Sequence, residues 1–141
     1  MREQILAAAF ACLGTPFRHQ ARVPGLGIDC AGLLVHVFRA LDLPHHDELG
    51  YPRNPYDGQL EKILDGQPSL VRIALDQAQP GDVLAMRIST APQHIAFLAQ
   101  PIDGQRYIIH SSSEHGGVVH HRLDELWGAR IMRAYRLERP Q

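Results

Sequence analysis

The spacing of apolar residues changes about halfway along the chain. In the first part, apolar residues recur three and four positions apart, as on a helix with one buried face. Arg2–Leu13 and Cys30–Leu41 have this spacing, and a short third helix is predicted at Gln59–Leu64. Thr15–Ile28, between the first two, contains two prolines and two glycines and therefore predicts a loop. Asp42–Pro68 is rich in Pro, Gly, Asp and His, and we expect it to be irregular apart from the short helix.

The second part of the chain predicts strands. Short apolar runs are separated there by turn-forming residues, above all at Gln79–Asp82 and at Asp103-Gly104. The predicted strands are Leu70–Ala74, Val83–Ile88, Ile95–Ala99, Arg106–Ser111, Val118–His121 and Arg130–Leu137. Helices followed by antiparallel strands indicate an α+β fold, in which the helix that starts at Cys30 packs on the sheet.

Composition narrows the function classes. The chain has 141 residues, of which 45% are hydrophobic, so we expect one domain over residues 1–141 with its own core. The net charge is -1 and basic residues do not cluster in a run, which argues against a nucleic-acid partner. Four arginines recur every third residue near the end of the chain, and we expect them on a solvated edge of the last strand. These are Arg130, Arg133, Arg136 and Arg139.

The cysteine count and the first residues of the chain bear on the cellular compartment of the protein. Two cysteines do not make a disulfide framework, and Cys12 lies in an apolar helical run where it is expected to be buried. Ile5–Leu13 is apolar but short, and Glu3 precedes it, so an amphipathic helix is a better prediction than a signal peptide. We expect no membrane span, because apolar runs of that length are lacking in the sequence.

Cys30 is the leading candidate for a nucleophile. It is predicted at the first position of a helix that Asp29 caps, where the helix dipole favours a thiolate. Ala31 and Gly32 leave the approach to the sulfur uncrowded, and nearby backbone N–H groups can serve an oxyanion hole. The alternative is a buried structural cysteine that happens to open a helix.

Two downstream histidines favour the catalytic interpretation. If His94 and His110 face each other in an antiparallel pair, the turn between them falls within Pro101–Gly104, which the sequence independently predicts as a turn. Both side chains then lie on one face of the sheet. His110 can orient His94, and His94 can accept the proton of Cys30. The alternative is that both histidines are exposed polar residues at strand ends.

The remaining polar candidates are weaker. His45 and His46 precede two acidic residues, but the spacing matches no zinc motif, so we expect neither a metal nor a cofactor. His115, His120 and His121 are predicted at the surface beside a late strand. The run of three serines after His110 lacks the glycine elbow of a serine hydrolase.

As a set, these residues resemble the NlpC-type (NlpC/p-sixty) cell-wall peptidases, whose core is papain-like. The matching pieces span most of the chain in the family's order. They are Leu13–Phe17, Asp29–Leu33, Pro80–Val83, His94–Phe97 and Ile109–Ser111. By this resemblance Cys30 is the nucleophile, His94 the base and His110 the orienting residue. The implied substrate is the peptide stem of peptidoglycan, typically the bond between γ-D-glutamate and a diamino acid.

The resemblance also indicates a biological setting. Gly14–Ala21 is most similar to the branch found in phage tails and gene-transfer particles, which implies tail proteins as partners. Such an enzyme is made in the cytoplasm without a signal peptide, is carried on the particle and acts in the periplasm or cell wall.

Substrate contacts are expected in the loop before the nucleophile and at the start of its helix. The candidates are Phe17, His19, Gln20, Asp29 and Ala31. Phe17 replaces a tyrosine that is usual in the family, and the hydroxyl of that tyrosine often helps the oxyanion site. Phe17 cannot donate a hydrogen bond, so this support is missing or comes from another residue such as His19. Two other functions stay open: a tail component of the same fold that has lost turnover, and an acyltransferase with an apolar channel near Cys30.

Overall fold

The computed structural model describes residues 1–52, 58–88 and 92–141 of the chain, so residues 53–57 of the predicted irregular segment lie outside the described residues. In chain order, the helices are α1 (Arg2–Phe10), α2 (Cys30–Ala40), α3 (Gln59–Asp65) and α4 (Glu125–Gly128), with a single 3-10 turn at Leu75–Gln77. The strands are β1 (Arg22–Val23), β2 (Gly27–Ile28), β3 (Leu70–Ile73), β4 (Val83–Arg87), β5 (Pro92–Leu98), β6 (Tyr107–Ser112), β7 (Gly117–Arg122) and β8 (Ile131–Leu137).

Six of these strands form one antiparallel sheet in the order β3-β8-β4-β5-β6-β7, and β1 and β2 form a separate ribbon. This arrangement confirms the predicted α+β class. The prediction of a solvated edge at the arginines is wrong, because β8 lies inside the sheet between β3 and β4. Arg136 on β8 instead forms an ion pair of 2.9 Å with the buried carboxylate of Asp82.

Helix α2 packs on the sheet against β5 and β6, and its first turn is closely fitted to the preceding loop. The Asp29 carboxylate caps the helix by accepting from the backbone N–H of Gly32 at 2.7 Å. A Cβ on Gly32 would lie 2.4 Å from the carbonyl oxygen of Ala21, so only glycine allows this approach. The loop before the helix is thereby held against the residue that carries the sulfur.

The sheet has a hydrophobic cluster on each face. Residues on the helix side include Leu33, Val37, Phe38, Ile95, Phe97 and Ile109, together with the predicted buried Cys12. Residues of the second cluster include Leu84, Met86, Leu98, Ile108, Leu123 and Trp127. Because side chains alternate along a strand, His94 and His110 point to the second face. None of the described helices has the length and apolar character needed to cross a bilayer.

The pairing of β5 with β6 differs from the predicted register by two residues. Phe97 pairs with Ile109 and Leu98 with Ile108, whereas a direct His94–His110 pair would place residue 107 opposite Phe97. Asp103 and Gly104 both have positive φ, at 50° and 76°, as expected for a tight hairpin turn. A shift of two residues keeps both histidines on the same face, so they lie diagonally across the two strands.

Candidate active site

The sulfur of Cys30 lies where α2 begins, beside the start of β5. The backbone N–H groups of Ala31 and Ile95 face this sulfur, and Ile95 directly follows His94 in the chain. Burial, reinforced by the charge of Asp29, raises the pKa of the Cys30 thiol to about 12. This direction favours a neutral thiol and opposes the expected thiolate, because desolvation and the adjacent carboxylate act against the helix dipole.

His94 and His110 are in direct contact. Nε2 of His94 lies 2.6 Å from Nδ1 of His110, and both rings are buried, with His110 fully excluded from solvent. Burial, followed by the positive charge of Arg130, lowers the pKa of His94 to about 4. Burial and the neighbouring histidines also lower the pKa of His110. Both imidazoles are therefore neutral at neutral pH, which is the form that can accept a proton.

A third histidine continues the chain of contacts. Nε2 of His110 lies 2.8 Å from Nε2 of His121 on β7, and Nδ1 of His121 lies 2.9 Å from the carbonyl oxygen of Arg122. His121 is therefore not the surface residue that the sequence predicts. It lies on the same face of the sheet as His110, because it pairs with Ile108 two residues away on β6.

The contact with the Arg122 carbonyl assigns the tautomers of this histidine relay, by which we mean His94, His110 and His121. A carbonyl oxygen only accepts, so Nδ1 of His121 carries the hydrogen and Nε2 of the neutral ring accepts. The hydrogen between the next two rings then belongs to Nε2 of His110, whose Nδ1 accepts from Nε2–H of His94. This order leaves the lone pair of His94 on Nδ1.

Trp127 covers the relay on the second face of the sheet. Its buried ring lies 5.0 Å from that of His110 and 5.5 Å from that of His121, measured between centroids. Helix α4, which carries Trp127, is absent from the sequence-based expectations because four residues are too few to show a helical period. The indole keeps the centre of the relay dry.

Two cavities meet at Cys30, and both also contact Phe17 and Gln93. The first lies between α2 and α3 and has an apolar floor formed by Leu34, Val35, Phe38, Leu60 and Leu64. The second is lined by His94, Trp127, Ser112 and Glu114. A substrate chain that crosses Cys30 can therefore occupy a cavity on each side of the sulfur.

The family can be assigned from the match between this geometry and known proteins. The NlpC/P60 family profile matches residues 14–136, a range that contains Cys30, all three relay histidines and the complete sheet apart from the last residue of β8. The chain belongs to the NlpC/P60 family. Membership confirms the papain-like α+β prediction and supports a cysteine peptidase of the cell wall.

Solved structures agree with this NlpC/P60 assignment at the level of the fold. The NlpC/p60 domain of the peptidoglycan hydrolase SagA superposes with a TM-score of 0.62 at 21% identity, covering 97% of this chain and 99% of that one. An NlpC/P60 protein from Bacillus cereus gives 0.69 at 19% identity, covering 99% and 41%. NlpC1 from Trichomonas vaginalis gives 0.66 at 18%, covering 98% and 43%. This chain thus spans less than half of the latter two proteins. A search of curated protein sequences finds no match.

The residues that the sequence predicts to contact substrate fall into two groups in the structure. Phe17, His19 and Ala31 line the first cavity. Asp29 is also at its wall, but all its acceptor positions are used: besides Gly32, it accepts from the backbone N–H of Gln20, the guanidinium of Arg22 and the hydroxyl of Tyr51. Gln20 donates its side-chain amide to the Tyr51 carbonyl and supports the loop.

Tyr51 is a residue of the site that the sequence does not reveal. It lies in an irregular segment without apolar period, yet it lines the first cavity and packs edge-on against His19. Its hydroxyl donates to Asp29 and accepts from Arg22 at 2.8 Å. Burial, and then this contact with Asp29, raises the pKa of Tyr51, so the hydroxyl stays protonated. The wall beside Cys30 therefore has a phenol even though Phe17 has none.

Proposed function

We propose that this chain hydrolyses an amide bond in the stem peptides of peptidoglycan through a thioacyl-enzyme on Cys30. The observation that carries the proposal is the histidine relay, which leaves His94 neutral with its lone pair on Nδ1, together with the second cavity, which His94 and Cys30 both line. Family membership supports the substrate class. In this mechanism His94 is the general base and later the general acid, and His110 orients it.

Proton transfer and attack occur together in the proposed reaction. The Cys30 sulfur forms a bond to the carbonyl carbon while its proton moves to Nδ1 of His94. Backbone N–H groups near the start of α2 stabilise the oxyanion. When the tetrahedral intermediate collapses, the amine leaves with the proton from His94, and a thioester remains on Cys30. Water activated by His94 then hydrolyses the thioester and regenerates the thiol.

The position of His94 also gives the direction of the substrate. His94 lines the second cavity, and it must protonate the leaving amine. The amine half of the scissile bond therefore binds in the second cavity. The acyl half, which remains on Cys30, binds in the first cavity beside Tyr51 and Asp47.

The finer assignments rest on the sequence resemblance. We include in the proposal that the scissile bond joins γ-D-glutamate to a diamino acid, and that the domain, residues 1–141, serves as a phage-tail or gene-transfer-particle component. The experiment for the first is mass spectrometry of the peptides released from purified peptidoglycan. A new amine terminus on the diamino acid is the expected product. The particle role predicts that the protein co-purifies with tail-like particles.

An acyltransferase is the second candidate, because the floor of the first cavity is apolar. On that alternative, an apolar acyl group occupies the first cavity, and an amine or alcohol rather than water takes it from the Cys30 thioester. Mass spectrometry of protein incubated with acyl thioester donors distinguishes the two. Transfer to an acceptor at a rate exceeding hydrolysis of peptidoglycan would favour the acyltransferase.

The decisive variant for the peptidase proposal is Cys30→Ala. This variant should abolish peptide release. The control is Cys12→Ala, which should retain peptide release because Cys12 is buried and lines neither cavity. Both variants should keep the circular dichroism spectrum of the wild type. Release by Cys30→Ala at the wild-type rate would refute the assignment. Binding of peptidoglycan by the wild type without any release would indicate the inactive tail component instead.

A further inference from the structure

Three histidines lie close together at the end of the relay opposite His94: His110, His115 and His121. One ring nitrogen from each of His110, His115 and His121 lies within 4.8 Å of one ring nitrogen of each of the others. His110 is buried, His121 half-buried and His115 exposed, so the cluster has a dry inner end and an outer end open to solvent. An ion can therefore enter from the His115 side.

In two of these rings Nδ1 contacts a polar partner, as the second ring nitrogen of a metal-bound histidine usually does. Nδ1 of His121 donates to the Arg122 carbonyl, and Nδ1 of His115 lies 3.0 Å from the hydroxyl oxygen of Ser112. Metal-bound histidines typically donate their second N–H to a carbonyl or a similar partner. This arrangement leaves Nε2 of His115 and Nε2 of His121 as the ligand atoms, and Nε2 of His110 already lies 2.8 Å from the latter.

We propose that His110, His115 and His121 form a binding site for a divalent transition-metal ion such as Zn²⁺, and that the ion switches the enzyme off. Three imidazoles suit Zn²⁺, Cu²⁺ and Ni²⁺. Zinc–nitrogen bonds of about 2.0–2.1 Å place two nitrogens of a tetrahedral site about 3.3 Å apart, so the His110–His121 contact must open by about 0.5 Å. Water occupies the fourth position.

Inhibition follows from the tautomers and rests on the proposed function. An ion on Nε2 of His110 displaces the hydrogen from that atom, and the neutral ring then carries it on Nδ1. Nδ1–H of His110 now donates to Nε2 of His94, whose own hydrogen moves to Nδ1. The number of protons is unchanged, but His94 has lost the lone pair that accepts the proton of Cys30. A metal bound at the far end of the relay therefore disables the base.

Trp127 provides a binding assay that does not depend on activity. It is the single tryptophan of the chain, and its ring centroid lies 5.0 Å from His110, 5.9 Å from His115 and 5.5 Å from His121. In tag-free Cys30→Ala protein, which cannot bind metal through the thiol, Co²⁺ should quench this fluorescence and Zn²⁺ should compete. His115→Ala should weaken both effects at least about tenfold.

The matched control is His120→Ala. His120 is adjacent to His121 but points to the other face of β7, where it packs against Phe10 and Tyr107, so binding should be unchanged. Absence of quenching in the Cys30→Ala protein, or equal quenching after His115→Ala, would overturn the proposal. Because this assay needs no substrate, its result stands even if the peptidase proposal fails.

The activity assay tests the switch. Zn²⁺ should inhibit peptide release by the wild type, and EDTA should restore it. His115→Ala should release peptide at the normal basal rate and resist Zn²⁺ at concentrations that inhibit the wild type. Equal inhibition of both proteins would show that the ion acts at Cys30 and His94, and the proposed switch would be refuted.

Discussion

His121 offers the sharpest test of the histidine relay, because it lines neither cavity at Cys30 yet is two hydrogen bonds from His94. In His121→Phe the ring shape is approximately kept and the acceptor for Nε2–H of His110 is lost. A buried donor without its partner costs about 1–3 kcal/mol. If this cost falls on the transition state, kcat should decrease about 5- to 150-fold. KM should stay the same, because the substrate cavities are unchanged.

The controls separate positioning from a loss of folding. His121→Gln places an amide oxygen where Nε2–H of His110 can donate, so it should restore most of kcat. His120→Phe changes the neighbouring residue on the opposite face and should have little effect. The assay is peptide release from purified peptidoglycan, with rates normalised to folded protein. A His121→Phe enzyme with kcat within twofold of the wild type, or one whose defect is confined to KM, would refute the relay.

Two further predictions follow from the groups around the sulfur. The raised pKa of Cys30 means that the thiolate fraction increases about tenfold per pH unit, so alkylation by iodoacetamide should accelerate by the same factor from pH 7 to 9. The rate is measured after subtraction of the Cys30→Ala background. A rate that is constant below pH 7 would instead indicate a standing ion pair with His94. Asp29→Asn should lower the free energy of unfolding in urea by about 3–5 kcal/mol, because the amide oxygen can accept from only two of the four donors and the NH2 group would face the others. Tyr51→Phe should cost about 1 kcal/mol, and a loss below about 1 kcal/mol for Asp29→Asn would contradict the described bonding.

Local patterns were sufficient to predict most of the fold. The helix that begins at Cys30 and the strands of the second half follow from apolar spacing and turn residues, and their ends agree with the structure to within three residues. The predicted register of β5 with β6 differs from the observed one by two residues, because a hairpin turn can be placed at more than one position in the same loop. The shared face of His94 and His110 was still predicted, since side chains alternate with a period of two.

The rest of the site depends on contacts between distant segments. His121 is preceded by Val118, Val119 and His120, a run without a clear alternation, so its face could not be assigned before the pairing of β6 with β7 was known. Tyr51 lies in an irregular segment, and its contact with Asp29 joins residues 22 positions apart. The pKa of Cys30 likewise depends on burial, which the sequence around a helix start does not reveal.

The Arg122 carbonyl determines which sequence changes this enzyme can tolerate without altering the hydrogen-bond direction of the relay. It is a main-chain atom that remains an acceptor at every pH where the protein is folded, and every amino acid at position 122 supplies it. The direction in which the three imidazoles hold their hydrogens is therefore imposed by the path of the backbone. Substitution of the arginine side chain leaves that polarity intact, whereas a peptide plane turned over at this strand end would reverse it.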